Sequence, residues 1–196
     1  MRTARHRTLL AALVGVLATL AGLALPVAAD AAPVPLTARE RGNDVSYPQC
    51  GSTLPTAADF GIVGVDGGRP FEVNPCLAEQ IVWARSAGRP AYYVNTANPG
   101  PRLSTHWPLG QTQPRTCARS KPDSAACAFD YGWNAAKDSL ARARTAAASV
   151  GAPDVTNSSW WLDVEVHNTW ESLEYGHTAT FLRNDTAVLR GAQHLL

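Results

Sequence analysis

Four short apolar runs, Asn43 to Tyr47, Gly61 to Asp66, Ala91 to Thr96 and Trp160 to Val166, are rich in Val, Ile, Tyr or Trp and end in polar residues. Segments of helical period separate them, and this alternation is the tightest constraint on the fold. Strands and helices taking turns along a chain imply parallel strands joined by right-handed crossovers, because a tight hairpin returns a strand only in the antiparallel sense. The class expected is α/β. Between the second and third runs Asn74 is placed to cap a helix, Pro75 fits its first turn, Leu77, Ile81 and Ala84 share a face, and Gly88 ends it. A longer helix is expected from about Ser124 to Val150, with Phe129, Trp133, Ala136, Leu140, Ala143 and Ala147 as its apolar stripe and Gly151-Ala152-Pro153 as its stop. The last begins near His177 and carries Phe181, Asp185, Val188, Ala192 and Leu195 at helical spacing. Ala57 to Phe60 reads as a brief first helix.

The first 31 residues form a separate unit. A basic head (Arg2, Arg5, His6, Arg7) precedes an apolar stretch from Leu9 to Leu25, and Ala29-Asp30-Ala31 offers a small-residue cleavage site. Residues 1–31 are read as a secretory signal rather than a membrane anchor, since Pro26 and the Ala-x-Ala site favour cleavage. Removing 31 of the 196 residues leaves 165, with 14 basic and 15 acidic side chains. Residues 32–41 are a Pro-containing linker, and 42–196 form the folded domain. A net charge so near zero gives no attraction to nucleic acid or anionic lipid. With 45% hydrophobic and 17% charged residues, disordered, collagen-like and coiled-coil chains are excluded as well.

Export makes disulfides the expected state of Cys50, Cys76, Cys117 and Cys127, none of which has zinc-finger spacing. Four cysteines allow three pairings. Cys50 and Cys76 each follow a strand by a few residues and should emerge at the same end of the sheet, while Cys117 and Cys127 flank one polar loop segment. The pairs expected are therefore 50 with 76 and 117 with 127.

No Gly-x-Gly-x-x-Gly, Walker loop or Gly-x-Ser-x-Gly elbow is present, so Ser46 reads as a turn hydroxyl rather than a nucleophile. The chemistry-bearing residues are acids. In the run Trp160-Trp161-Leu162-Asp163-Val164-Glu165-Val166, side-chain alternation puts Trp161, Asp163 and Glu165 on one face and the apolar residues on the other. Asp163 and Glu165 would stand about 7 Å apart along the strand. Two acids that close repel, so one holds its proton near neutral pH, the combination that glycosidic cleavage uses. Asp44 and Asp66 end the first two strands and bring the count at one mouth to four. For Asp66, followed by Gly67-Gly68, a turn role weighs as much as a catalytic one. Such a cluster is also a setting for Mg²⁺ or Ca²⁺, with His167 as an added ligand, but the expectation is that there is neither metal nor cofactor.

Gly42-Asn43-Asp44-Val45-Ser46-Tyr47 resembles the opening Asp-Val-Ser strand of the glycoside hydrolase family 25 lysozymes, and Trp161-Leu162-Asp163-Val164-Glu165 resembles their Asp-x-Glu strand. The chain is similar, more closely, to glycoside-hydrolase-like secreted proteins of high-GC Gram-positive bacteria. The resemblance covers roughly residues 42–196 and implies a TIM-barrel-type fold of parallel βα units. Four strands are counted, about half a barrel. That count leads to the expectation of a C-terminally shortened barrel, or of self-association through open sheet edges. The resemblance further implies Glu165 as general acid, Asp163 as the acid that stabilises the transition state or orients the reacting acetamido group, and Asp44 as a substrate-binding or pKa-tuning acid. The substrate implied is peptidoglycan or a related polysaccharide.

Trp107, in the long loop from Asn98 to Asp123, and Trp170, just beyond the acid strand, are candidates for stacking on sugar rings, and for Trp107 packing the loop down weighs as much as binding. Asp66 and Asn95 complete the substrate-binding set. The reading that results is a secreted, extracellular or wall-bound glycosidase. A non-catalytic glycan-binding protein of the same fold and an inactive fragment are its rivals.

Overall fold

The computed structural model describes residues 39–56 and 59–196. The signal segment, most of the linker, and Ala57 and Ala58 of the brief first helix lie outside the described residues; Phe60 opens a strand.

The strands are β1 (Gly42–Val45), β2 (Phe60–Gly64), β3 (Pro90–Asn95) and β4 (Ser159–Asp163). They form one parallel sheet in chain order, β1-β2-β3-β4. The helices are α1 (Leu77–Ser86), α2 (Gly100–Leu103), α3 (Ala125–Ser149), α4 (Glu171–Tyr175) and α5 (Ala179–Leu195). Chain order and parallel sense are the α/β arrangement that the alternation required.

Period two divides the sheet into unlike faces. Val45, Val63, Val65, Tyr92 and Val94 are buried and, with Trp160 and Leu162, meet Leu77, Ile81 and Ala84 of α1 and Ala143 and Ala147 of α3. The other face carries Asp44, Ile62, Gly64, Tyr93, Asn95, Trp161 and Asp163. Trp161, at 53% exposed, is the most open aromatic residue on it. Registers tie this face together: Gly64 pairs with Tyr93, Tyr93 with Trp161, and Asn95 with Asp163.

Two helix starts show how local chemistry sets boundaries. Ser124 caps α3 by accepting from the Cys127 amide, as expected of that residue. By contrast, α1 begins two residues after its expected first turn. Asn74 Oδ1 accepts from the Cys76 amide at 3.1 Å and the Leu77 amide bonds to the Asn74 carbonyl, so Asn74 caps a separate turn that precedes the helix. Two short helices, α2 and α4, interrupt segments that carried no helical period. The disulfides join Cys50 to Cys76 and Cys117 to Cys127, the pairs expected, and each loop closure is worth about 3 kcal/mol. Among the described residues no helix is long and apolar enough to cross a membrane.

The last strand is shorter than its sequence suggests. Pairing stops at Asp163, whose carbonyl accepts from both the amide and the hydroxyl of Thr96. Val164 and Val166, expected to lie under helices, are 55% and 76% exposed. The apolar pattern runs three residues past the end of the ladder, and the chain beyond β4 pairs again with the extension of β3 only at the isolated Asn98–Trp170 bridge.

Helices α3 and α5 pack with their backbones in near contact. A Cβ on Gly132 would lie 2.0 Å from the Val188 carbonyl oxygen, and one on Gly191 would lie 2.0 Å from that of Phe129. Glycine to alanine inside a solvent-facing helix stabilises by about 1 kcal/mol. Here Gly132→Ala and Gly191→Ala are each expected to destabilise instead, by about 2 kcal/mol, because neither backbone can yield locally. Urea midpoints of the two variants against the parent measure this, and a rise in either midpoint contradicts the packing.

Candidate active site at the carboxyl ends of the strands

Parallel strands that stop together leave their last backbone groups without ladder partners, and buried side chains supply the missing bonds here. Gln80, buried on α1, donates to the Ser46 carbonyl beyond β1 at 2.7 Å, and buried Asn74 donates to the Gly64 carbonyl that ends β2 at 2.7 Å. Between β2 and β3, Asp66 accepts from the Asn95 amide at 2.9 Å and from the Asn95 side chain at 2.8 Å. Thr96 then ties β3 to β4. The strand ends are fixed relative to one another by these contacts and by the Cys50–Cys76 disulfide beside them.

Tyr93 stands in the middle of the open face. Gly64 makes room for it, since a Cβ there would lie 2.5 Å from Tyr93 Cζ and 2.6 Å from Ser46 Cβ. Burial pushes the Tyr93 phenol up, a hydrogen bond with Ser46 opposes the shift, and the charges of Asp44, Asp163 and Asp66 add to it. The acids of β1, β2 and β4 therefore converge on one phenol. The alternation within Ala91–Thr96 already put Tyr93 on the face of Asn95, and that signal was available in the sequence but not used.

The acids are not equivalent. Asp66 is only 1% exposed, and burial pushes its carboxyl up to about 6 despite hydrogen bonds from Asn95 and Gly68. With both oxygens engaged, it locks the β2 and β3 ends and forms the Asp66-Gly67-Gly68 turn, the structural half of its expected role. Asn95 spends its amide and its side-chain donor on Asp66. Asp163 is half-buried; that burial raises its carboxyl, and the charges of Glu165 and Asp44 raise it further. Glu165 is exposed, outside the strand on a turn closed by the Asn168 amide on its carbonyl at 3.1 Å. Its expected placement inside the strand with Trp161 and Asp163 is thus corrected, while its charge still acts on Asp163.

Trp107 and Trp170 are corrected too. They are 8% and 6% exposed. The Trp107 indole donates to the Pro122 carbonyl and packs near Tyr131, holding the long loop down. That of Trp170 donates to the Glu165 carbonyl at 2.8 Å and so fixes the acid-bearing turn. Neither leaves its ring open, whereas Trp161 does.

A buried polar network anchors the surrounding loops. Asn98 donates to Glu171 at 3.0 Å and Asp185 at 2.7 Å, while Asn184 donates to Asp123 and Glu171. Among the described residues no group of three or more His, Cys, Asp or Glu side chains is arranged to hold a metal ion. No family model matches the chain, and neither a curated protein nor a solved structure does so.

Because the folded state holds the Asp66 proton more tightly than the unfolded state, this group adds stability below its ordinary value of 3.8 that is lost as pH rises through about 6. The full span is on the order of 3 kcal/mol, of which roughly 1 to 1.5 kcal/mol falls between about pH 5 and pH 7.5. Urea denaturation is expected to show that gain at the lower pH, and Asp66→Asn, neutral throughout, is expected to flatten it.

Proposed function

We propose that this protein hydrolyses glycosidic bonds in a cell-wall polysaccharide, using Asp163 and Glu165 as an acid pair. The observation that carries the reading is the convergence of Asp44, Asp66 and Asp163 around Tyr93 at the carboxyl ends of parallel strands, with the Asp163 carboxyl raised in part by the charge of Glu165. Carboxyl ends of such strands are where α/β folds assemble their sites. A sheet in simple chain order supports a segment of a TIM-type barrel as the frame, and the resemblance of the two acid-bearing strands to family 25 lysozymes supports the substrate class.

The electrostatics favour a division of labour opposite to the one the resemblance implies. Asp163 is half-buried and flanked by the charges of Glu165 and Asp44, both of which raise its carboxyl, and this makes it the proton donor of the pair in our reading. Asp163 then protonates the leaving glycosidic oxygen as the bond to the sugar carbon breaks, and ionised Glu165 stabilises the positive charge developing on that carbon. Water adds to the carbon, and its proton returns to the pair. Asp66 acts at one remove by fixing Asn95, the register partner of Asp163. Trp161, on the same face two residues before Asp163, presents the aromatic surface on which a sugar ring stacks. The signal-like leader and two disulfides support an extracellular setting.

The test is clearing of purified peptidoglycan by the mature chain. Asp163→Asn and Glu165→Gln are each expected to lower the rate at least about 100-fold with an unchanged thermal midpoint. Clearing that survives both substitutions refutes the assignment. Glycan binding without clearing in the parent protein selects the binding-protein reading instead. Trp161→Ala is expected to raise KM about 10-fold and leave kcat nearly unchanged, the signature of lost uniform binding.

A further inference from the structure

The loops that leave β2, β3 and β4 wall a cavity of about 430 Å³, within the range of small-molecule sites. Its chemistry is the reverse of the acid cluster's. Arg69, His106 and His167 line it, one from each of the three loops, against a single carboxylate, Glu72. Among the described residues Arg69 makes no ion pair, since the salt bridges join Arg89 to Glu40, Arg142 to Asp138 and Arg144 to Asp154.

The wall is built at a cost. Phe71 has φ of 69°, the left-handed region that an aromatic residue rarely enters. Its ring stacks on His106 with centroids 4.1 Å apart and planes 7° from parallel, and meets the Tyr131 ring edge-on at 5.5 Å. Backbone strain of this kind, worth about 1 to 3 kcal/mol, persists where surrounding contacts hold it and clusters at binding sites. Here it fixes the loop that carries Arg69 against the loop that carries His106.

The same loops serve both regions. Asp66 precedes Arg69 by three residues, and Glu165 precedes His167 by two. The acids and the cavity therefore share their supporting loops, with the Arg69 guanidinium as the fixed positive charge on the cavity side. We infer that the cavity is a subsite for an anionic substituent, a carboxylate carried by the glycan, which Arg69 binds through its planar guanidinium with His106 and His167 beside it. This deepens the glycan reading and rests on it: it makes the substrate an acidic rather than a neutral polysaccharide.

Calorimetric titration of the mature chain carrying Glu165→Gln, which prevents turnover, tests the inference with three probes: neutral chitotetraose, a glycan strand of equal length bearing carboxylate substituents, and inorganic phosphate. The carboxylated strand is expected to bind at least about 10-fold more tightly than chitotetraose. Adding Arg69→Gln, at an exposed position, should erase that preference while sparing chitotetraose affinity and the thermal midpoint; His167→Gln should reduce it. Raised salt should weaken only the carboxylated strand. Equal affinity for the two glycans, or a preference that survives Arg69→Gln, overturns the inference. So does phosphate binding that depends on Arg69 without any preference for the carboxylated strand. Carboxylate preference in a parent protein that clears no peptidoglycan leaves the subsite standing and removes the hydrolase. Clearing with no carboxylate preference does the opposite.

Discussion

The structure depends on how four parallel strands are terminated. A parallel ladder that ends leaves amides and carbonyls with nowhere to bond, and water would have to enter the core to satisfy them. This chain meets the need with buried side chains: Gln80 on the Ser46 carbonyl, Asn74 on the Gly64 carbonyl, Asp66 on the Asn95 amide, and Thr96 on the Asp163 carbonyl. Each of these contacts stops a strand and also sets where the next loop starts. The acids and the basic cavity inherit their positions from this row of strand ends.

One physical conflict accounts for the character of the site. Asp66 is needed as an acceptor, yet its burial makes ionisation costly, and its carboxyl is raised to about 6 as a result. Asp163 is raised mainly by partial burial, with like charges from Glu165 and Asp44 adding to it. Tyr93 is drawn into the same field because Gly64 leaves space for its ring. Structural termination and unequal proton affinity are therefore two consequences of putting carboxylates where strands run out. The covered face shows the complementary solution, with valines on the sheet meeting small residues on α1 and α3, and glycines letting α3 and α5 touch.

Legibility in the sequence followed the range of the interaction involved. The class, the parallel sense of the strands, the start of α3 near Ser124 and the disulfide partners follow from period and spacing, both of which act over a few residues or one crossover. Strand period also put Asp163 on the open face with Trp161. It failed for Glu165, Val164 and Val166, because a period says which way a residue would point if the ladder continued, and the ladder stops with β3. The burial of Trp170, and the choice between the two roles open to Trp107, lay out of reach of the sequence for a related reason. An indole in a loop looks available until the carbonyl that takes its N–H is known, and those carbonyls, on Pro122 and Glu165, belong to turns with no period at all.

By itself the sequence determined the four strands and the three long helices, the parallel sense and which face of the sheet would be apolar, since alternation and helical stripes are properties of neighbouring residues. Only the tertiary structure decided that Asp66 would be sealed and Glu165 left in water. It alone brought Tyr93 among acids from three other segments of the chain, and Arg69, His106 and His167 to one cavity. Those outcomes depend on contacts between residues tens of positions apart, where burial and electrostatic reach are set by how the loops pack and not by any local pattern.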